Sequence, residues 1–323
     1  MEILDLVKRF AGHPGVIAIQ KVWDDEEAHS VHLKGLSASA APMLFGALSA
    51  MDTPWQVPVA MFVLNDLEEA GYFYHDLVQM LGETQVLFFP SSYKRAIKYG
   101  QKDPANEVLR TEVLTKLAGY ATSGKKSRAE RPLYIVSYPD ALAELVVSCE
   151  MLNDHSLALE VGTTIEISKI EEVLVNEGFE RVDYVYEPGQ FAVRGSIIDV
   201  FSYASEYPYR VDFFGDEIDS IRTFEIETHL SRDKVQRISV VPKLGDCKVK
   251  SEVSFFDFLP KKSALAFHDY LWAHERVVQL NEEGLSLQAV QAMGEDADYR
   301  LNLLDASDFI RKTSAFRRIE FGT

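Results

Sequence analysis

Glu187 to Phe201 reads EPGQFAVRGSIIDVF, and Tyr207 to Thr228 reads YPYRVDFFGDEIDSIRTFEIET. Apolar and polar side chains alternate along both segments, and turns that contain glycine or proline interrupt them. This pattern is typical of antiparallel strands that bury one face. Just upstream, residues 168–178 carry the apolar stripe of a helix followed by a glycine stop. Residues 140–228 are therefore predicted to form an α+β domain that contains an antiparallel sheet.

Strand periodicity also predicts which side chains of this sheet share a face. Residues 181–186 and 191–201 are predicted to pair as an antiparallel hairpin around the turn 187–190, with Val182, Tyr184 and Tyr186 on one side of the first strand. A shift of the apolar phase at Gly195 indicates a β-bulge. In that register Asp183 faces Arg194, and Arg181 lies diagonally across from Arg194. Two arginines are thus expected on one exposed face.

Arg210 and Asp212 occupy polar positions of the following strand, so a charged patch rich in guanidinium groups is predicted on one side of the sheet. Arginine is common at protein interfaces because its planar group makes paired hydrogen bonds. Charged side chains also keep the edges of sheets soluble. The pattern alone does not decide between a partner-binding surface and charges that only keep the sheet edge soluble.

The rest of the chain has a different organisation. Residues 1–139 alternate short buried runs with amphipathic segments, which predicts an α/β domain with a parallel sheet flanked by helices. The predicted buried strands are 57–64, 85–89 and 133–137. Residues 229–323 return to mixed strands and helices and are predicted to form a third domain.

Residues 35–42 follow an early predicted strand, where a phosphate-binding loop of the form G-x4-G-K-[ST] would stand in a nucleotide-binding α/β protein. Ala40, Ala41 and Pro42 replace the second glycine, the lysine and the hydroxyl residue of that motif. Lys34 lies before the loop and does not substitute for the missing lysine. The loop is therefore a degenerate one, and nucleotide hydrolysis is not expected.

Other catalytic patterns are also missing from the sequence. VDFFGDE at 211–217 resembles the acidic strand that holds magnesium in ATPases, but its alternation and its glycine indicate a hairpin turn. The histidines lack metal-ligand spacing, and the chain has no CxxC pair and no G-x-S-x-G elbow. We predict no catalytic residue, no cofactor and no metal site.

Composition limits the classes of partner. Thirty-three Lys and Arg against fifty Asp and Glu give a formal net charge of −17, which argues against strong DNA binding by this chain. The run 124–131, GKKSRAER, is the basic exception and is predicted to be an exposed loop. Two cysteines, the absence of a signal-peptide pattern and the absence of a membrane-length apolar run predict a cytoplasmic protein without membrane contact.

FAVRGSIIDVF followed by RVDFFGDEI resembles the second domain of the UvrB family, a pattern shared with the transcription-repair coupling factor (Mfd) family. The degenerate loop at 35–42 and the absence of a tyrosine cluster between Phe89 and Arg110 favour the second family. The resemblance implies that the chain is an N-terminal UvrB-like module, with a helicase-like domain at 1–139, an inserted second domain at 140–228 and a closing domain at 229–323. It further implies a fragment of a longer protein.

The resemblance also implies a function. The second domain of both families binds UvrA through the arginine of the V-R-G motif and its neighbours, which points to Arg194, then Arg181, Arg210 and Asp212. RNA polymerase and DNA would be engaged by other domains of the longer protein, one of which would mask this surface. A non-catalytic adaptor is the first hypothesis. The alternatives are a UvrB-type ATP-dependent protein that processes DNA damage and an autoinhibitory module without a direct partner.

Overall fold

The computed structural model describes residues 3–24, 30–50, 55–94, 96–122, 131–244, 252–286, 290–291 and 302–322. Residues 124–130 of the predicted basic loop lie outside these ranges. The chain divides into two compact units. The first contains Met1–Asn106, Gly119–Val146 and Val253–Thr323, and the second contains Glu107–Ala118 and Val147–Glu252.

The strands of the described residues are β1 (Ser30–Lys34), β2 (Val59–Val63), β3 (Val86–Phe88), β4 (Leu133–Ser137), β5 (Val146–Val147), β6 (Leu157–Glu160), β7 (Glu180–Arg181), β8 (Gln190–Arg194), β9 (Ile197–Val200), β10 (Tyr209–Phe214), β11 (Glu217–Phe224), β12 (Ser231–Val235), β13 (Arg237–Val240), β14 (Glu252–Val253), β15 (Ala264–Phe267) and β16 (Arg317–Gly322). The α-helices are α1 (Ile3–Phe10), α2 (Pro14–Asp24), α3 (Ala40–Ser49), α4 (Leu67–Leu81), α5 (Pro104–Thr122), α6 (Pro139–Ala143), α7 (Cys149–Asp154), α8 (Ile167–Asn176), α9 (Tyr270–Glu283) and α10 (Ala306–Thr313). Short 3₁₀ helices cover Ile97–Tyr99 and Phe255–Phe258.

Within its described residues, the first unit has one sheet of six parallel strands in the order β1-β16-β15-β2-β4-β3. Every residue of β2 and β4 is buried, as continuous apolar strands of a covered parallel sheet require. The aromatic rings of Phe45, Phe62, Phe73 and Phe321 pack against one another and tie α3 and α4 to this sheet. The predicted parallel sheet with flanking helices is confirmed.

The second unit has a second sheet, in the order β12-β11-β10-β9-β8-β7 within the described residues. The strands pair antiparallel except for the short edge pair of β7 and β8, which is parallel. One face of this sheet packs with α8 and with β6 and β13, around Ile170, Phe191 and Val211. The predicted α+β region with an antiparallel sheet is also confirmed.

The compact second unit is longer than the predicted domain 140–228. After residue 228, strand β12 pairs with β11, and β13 pairs with β6. These pairings attach the chain to the second unit as far as Glu252. A charged segment such as SRDKV in β12 does not show the alternation that marks a half-buried strand, so its pattern does not indicate this extension. The three-domain division stays a prediction.

Candidate partner-binding surface

The hairpin that carries Arg194 differs from the predicted one. Strand β8 pairs with β9 through the two-residue turn Gly195-Ser196, and Arg194 lies opposite Ile197. Gly195 has a φ of +61°, a conformation that suits glycine in a tight hairpin turn. The phase shift at Gly195 therefore marks a chain reversal, and the predicted β-bulge at Gly195 is wrong.

The predicted strand 181–186 is also wrong beyond Arg181. Residues 182–189 form a loop between β7 and β8, and the Gln190 side chain closes it. Its Oε1 accepts hydrogen bonds from the backbone amides of Tyr186 at 2.9 Å and Glu187 at 3.1 Å. A loop closed by one side chain has no periodic pattern, which explains why alternation alone misassigned it.

The polar face of the second sheet is set by strand register. Asp199 of β9 lies opposite Arg210 of β10, and Arg210 lies opposite Arg222 of β11. Asp212 lies opposite Ser220. Directly paired residues share a face, so these charged side chains gather on the side of the sheet that faces away from the apolar packing with α8. The predicted polar positions of Arg194, Arg210 and Asp212 agree with this register.

Asp199 is the centre of this face, and its side chain is only 1% exposed. Arg210 donates to it twice, from Nε to Oδ1 at 2.7 Å and from Nη2 to Oδ2 at 2.9 Å. Arg194 Nη2 also donates to Asp199 Oδ2. A carboxylate buried this deeply requires such cationic partners, because desolvation disfavours an unpaired charge. The structure thus joins two of the predicted residues through a third that sequence reasoning missed.

Arg210 is held from several sides. Its guanidinium lies 4.5 Å from the centre of the Phe224 ring, and Nη1 donates to the carbonyl of His229 at 3.3 Å. The hydrogen bonds to Asp199 raise the pKa of Arg210 above its ordinary value, against the effect of burial. Because its side chain is mostly buried, Arg210 supports the surface more than it contacts solvent.

Arg194 is the more accessible of the pair, with 36% of its side chain exposed. In addition to the Asp199 contact, Nη1 donates to the carbonyl of Asp183 at 3.1 Å, and the guanidinium lies 5.0 Å from the centre of the Tyr184 ring. The predicted cross-strand pair of Asp183 and Arg194 is wrong, because Arg194 lies opposite Ile197, and Arg194 instead contacts the backbone carbonyl of Asp183. A guanidinium has five N–H donors, so Arg194 retains donors for an external acceptor.

The other two predicted residues have separate partners. Asp212 pairs with Arg222 and accepts from Ser220 Oγ at 3.2 Å. Arg181 is exposed and pairs with Glu171 of α8 at 3.3 Å. A shallow surface depression lined by Arg181, Val182, Asp183, Tyr184, Val193 and Arg194 brings Arg181 and Arg194 to one place.

Aromatic side chains adjoin the arginines. Tyr184 and Tyr186 are each about half exposed, and their rings lie 5.5 Å and 6.0 Å from that of His229. His229 also stacks on Phe224 at 5.9 Å. Sequence reasoning treated the tyrosines as the apolar side of a strand, so it did not assign them to the site. Surfaces that combine tyrosine with arginine are typical of protein interfaces.

The degenerate loop of the first unit keeps the strand-loop-helix path of a phosphate-binding loop. It leaves β1 at Gly35, which has a φ of +79°, and enters α3 at Ala40. The backbone amides of Gly35 and Leu36 donate to the carbonyl of Gly322 at 3.0 Å and 3.3 Å. Two backbone amides at the start of the loop thus donate their hydrogen bonds to another strand of the same sheet.

Two further findings concern only the described ranges. There, no group of three or more His, Cys, Asp or Glu side chains has the arrangement of a metal site. None of the helices in those ranges combines the length and apolar character that crossing a bilayer requires.

The class of the second unit follows from comparison with known families. Residues 157–244 match the family described as the UvrB interaction domain. This segment runs from β6 past β13 and includes the hairpin of Arg194 and its partner Asp199. The second unit therefore contains a segment that is similar to the UvrB interaction domain.

Curated relatives show which proteins this chain is similar to. The transcription-repair-coupling factor of Staphylococcus aureus (strain bovine RF122 / ET3-1) is 32% identical over 180 residues, which are 56% of this chain and 14% of the relative. That of Staphylococcus haemolyticus (strain JCSC1435) is 28% identical over 218 residues, 67% of this chain and 17% of the relative. These matches confirm the predicted resemblance to a module of transcription-repair coupling factors, and the matched part of this chain is a small share of their length.

Proposed function

We propose that this chain is a non-catalytic adaptor module of a transcription-repair coupling factor and that its second unit recruits UvrA during nucleotide excision repair. The match to the UvrB interaction domain and the names of the curated relatives support this function. The observation that carries it is the pair Arg194 and Arg210, which a buried Asp199 holds at the surface of that domain.

The charge of the polar face favours an acidic contact surface on the partner. The polar face carries Arg194, Arg210 and Arg222 against Asp199 and Asp212, three positive charges and two negative ones. It is thus locally positive in a chain whose formal net charge is −17. A carboxylate of UvrA would accept hydrogen bonds from Arg194. Tyr184 and Tyr186 of this chain would provide a second, aromatic contact area.

The proposal assigns no chemistry to the first unit. Ala40, Ala41 and Pro42 lack the groups that bind and polarise phosphates, which supports a scaffold over an ATPase. RNA polymerase and DNA would contact other domains of the longer protein. The chain would act in the cytoplasm, where its partners are found.

Calorimetric titration of UvrA tests the proposal. We expect Arg194→Ala to weaken binding by about 2 kcal/mol or more, since truncating one member of a buried interfacial charge pair costs about 2–5 kcal/mol. Arg194→Glu should abolish binding, because it places a second anion beside Asp199.

Arg232 supplies a matched control. It is 38% exposed, pairs with Glu225 and lies 4.1 Å from the Tyr207 ring, so its surroundings resemble those of Arg194. It stands on β12, at the opposite edge of the same sheet. Arg232→Ala should bind UvrA like the parent chain. Equal affinity of folded Arg194 and Arg232 variants would place the docking surface elsewhere.

A further inference from the structure

A cavity of about 390 Å³ lies in the first unit, beside the degenerate loop. It opens where β1, β2, β15 and β16 end, between the loop that enters α3 and the first turns of α4. Open α/β sheets bind their ligands at this edge, outside the carboxyl ends of the strands. The volume is within the range of about 300–1,000 Å³ that is typical of ligand pockets. We call it the carboxyl-edge cavity.

The walls and the charges of the cavity do not suit a phosphate. Pro42, Leu64 and Phe73 contribute apolar surface, whereas Glu69 and Asp76 of α4 contribute carboxylates. Within the described part of the chain, no Lys or Arg side chain lines the cavity. Two carboxylates would repel a nucleotide and attract an ammonium or guanidinium group.

Some of the polar groups at the back of the cavity already form hydrogen bonds with one another. Glu69 accepts from the Asn65 amide at 3.0 Å and lies 3.3 Å from His268 Nδ1. The Asn65 side chain contacts His268 through Nδ2 at 2.8 Å, and its buried Oδ1 has no hydrogen-bond partner among the described residues. His268 lines the cavity itself, and Asn65 and His268 both line the depression that adjoins it. Among the described residues, a hydrogen-bond acceptor, Asn65 Oδ1, is therefore unused in the residue whose backbone amide donates to Glu69.

The rim of the cavity is apolar and exposed. Tyr72 lines it with 69% exposure, and Leu67 precedes it on the same helix with 49% exposure. Leu271 is 65% exposed at the start of α9, where Trp272 Nε1 donates to the Asn65 carbonyl at 3.3 Å. Exposed aromatic and aliphatic groups around a pocket mark protein contacts, since a small ligand would not cover them.

We propose that the carboxyl-edge cavity binds a basic, apolar segment of a partner protein. A Lys or Arg side chain enters between Glu69 and Asp76, and a neighbouring aliphatic or aromatic side chain packs on Tyr72 at the rim. Charge complementarity selects this occupant, because the described lining residues combine apolar walls with two carboxylates and include no Lys or Arg, in a strongly acidic chain. The site is separate from the UvrA surface of the second unit and does not depend on it.

Selection of short random peptides displayed on phage against the whole chain tests the proposal. The expected peptides carry at least one Lys or Arg next to an aliphatic or aromatic residue. The best peptide is then synthesised and titrated by calorimetry against the parent chain and two variants. Glu69→Gln/Asp76→Asn should weaken binding by about tenfold or more, because both cavity charges are lost.

Glu68→Gln is the matched control. Glu68 is an exposed neighbour on the first turn of α4 that does not line the cavity, so this variant should bind within about twofold of the parent. Melting temperatures establish that the variants are folded. The proposal is overturned if selection yields no binder, if the peptides lack basic residues, or if the double variant binds as well as Glu68→Gln. Equally tight binding of arginine methyl ester would also overturn it, by showing a site for small cations.

Discussion

Asp199 determines how the two arginines of the candidate surface are presented. It accepts three hydrogen bonds from Arg194 and Arg210 while its own side chain is almost fully buried. The two guanidinium groups repel each other without that carboxylate between them. The surface thus depends on a residue that no partner reaches directly.

Asp199→Asn should therefore reduce stability and UvrA binding together. We expect the free energy of unfolding in urea to fall by about 3 kcal/mol, since removing one member of a buried ion pair leaves the other charges uncompensated. Asp212→Asn is the control for the stability measurement only, because Asp212 is more exposed and its pair with Arg222 involves one cation. Similar small losses in both variants would contradict a central role for Asp199.

Sequence patterns placed three residues of the candidate surface on its polar face for a simple reason. Arg194, Arg210 and Asp212 follow or alternate with apolar side chains, and a period of two assigns them to the polar face. Asp199 stands in the apolar run IIDVF, where one acid gives no sign of its partners. Its role appears only when β9 is placed between β8 and β10, and that register depends on contacts far apart in the chain.

The β8–β9 hairpin shows that the position of a chain reversal, too, depends on strand pairing that the sequence pattern does not reveal. The sequence predicted an antiparallel sheet in this region, and the apolar face against α8 makes that prediction robust. It placed the reversal at 187–190, whereas the chain reverses at Gly195-Ser196. A phase shift at glycine fits a bulge and a tight turn equally well, and only pairing separates them.

Two glycine substitutions should have opposite effects on stability. Gly195→Ala should lower the free energy of unfolding by about 1–2 kcal/mol, because alanine is strained at a φ of +61° even though its methyl group meets no atom within 4 Å. Gly71→Ala should raise it by about 0.5–1 kcal/mol, because Gly71 lies inside α4 with open space around it. Thermal and urea unfolding measure both changes. Destabilisation by Gly71→Ala would show that its methyl group clashes, against the described geometry.

The chain as a whole should not bind ATP. The degenerate loop lacks the lysine and hydroxyl of a phosphate site, and the adjoining cavity presents Glu69 and Asp76 instead. Isothermal titration calorimetry should give no saturable heat with ATP and magnesium up to millimolar nucleotide. Saturable binding at micromolar ATP, with turnover in a phosphate-release assay, would restore the hypothesis of a UvrB-type enzyme.

Duplex DNA should not be retained by this chain at physiological salt. The formal net charge of −17 opposes a polyanion, and even basic proteins bind DNA non-specifically with dissociation constants of about 10⁻⁴–10⁻⁶ M. A gel shift at micromolar protein checks this. Salt-sensitive retention that disappears in Lys125→Ala/Lys126→Ala/Arg128→Ala would instead assign DNA binding to the basic run at 124–131.

The contacts of Arg194 also affect the thermodynamics of recruitment. An arginine side chain loses about 2 kcal/mol of rotamer entropy when it is fixed in one conformation. Here the Asp183 carbonyl, Asp199 and Tyr184 restrict it within the folded chain. This entropic cost therefore lowers folding stability and does not arise again in the proposed binding of UvrA. Association with UvrA should consequently show a small entropic penalty at this side chain. Thermal unfolding of the second unit should abolish the binding of UvrA at the same temperature.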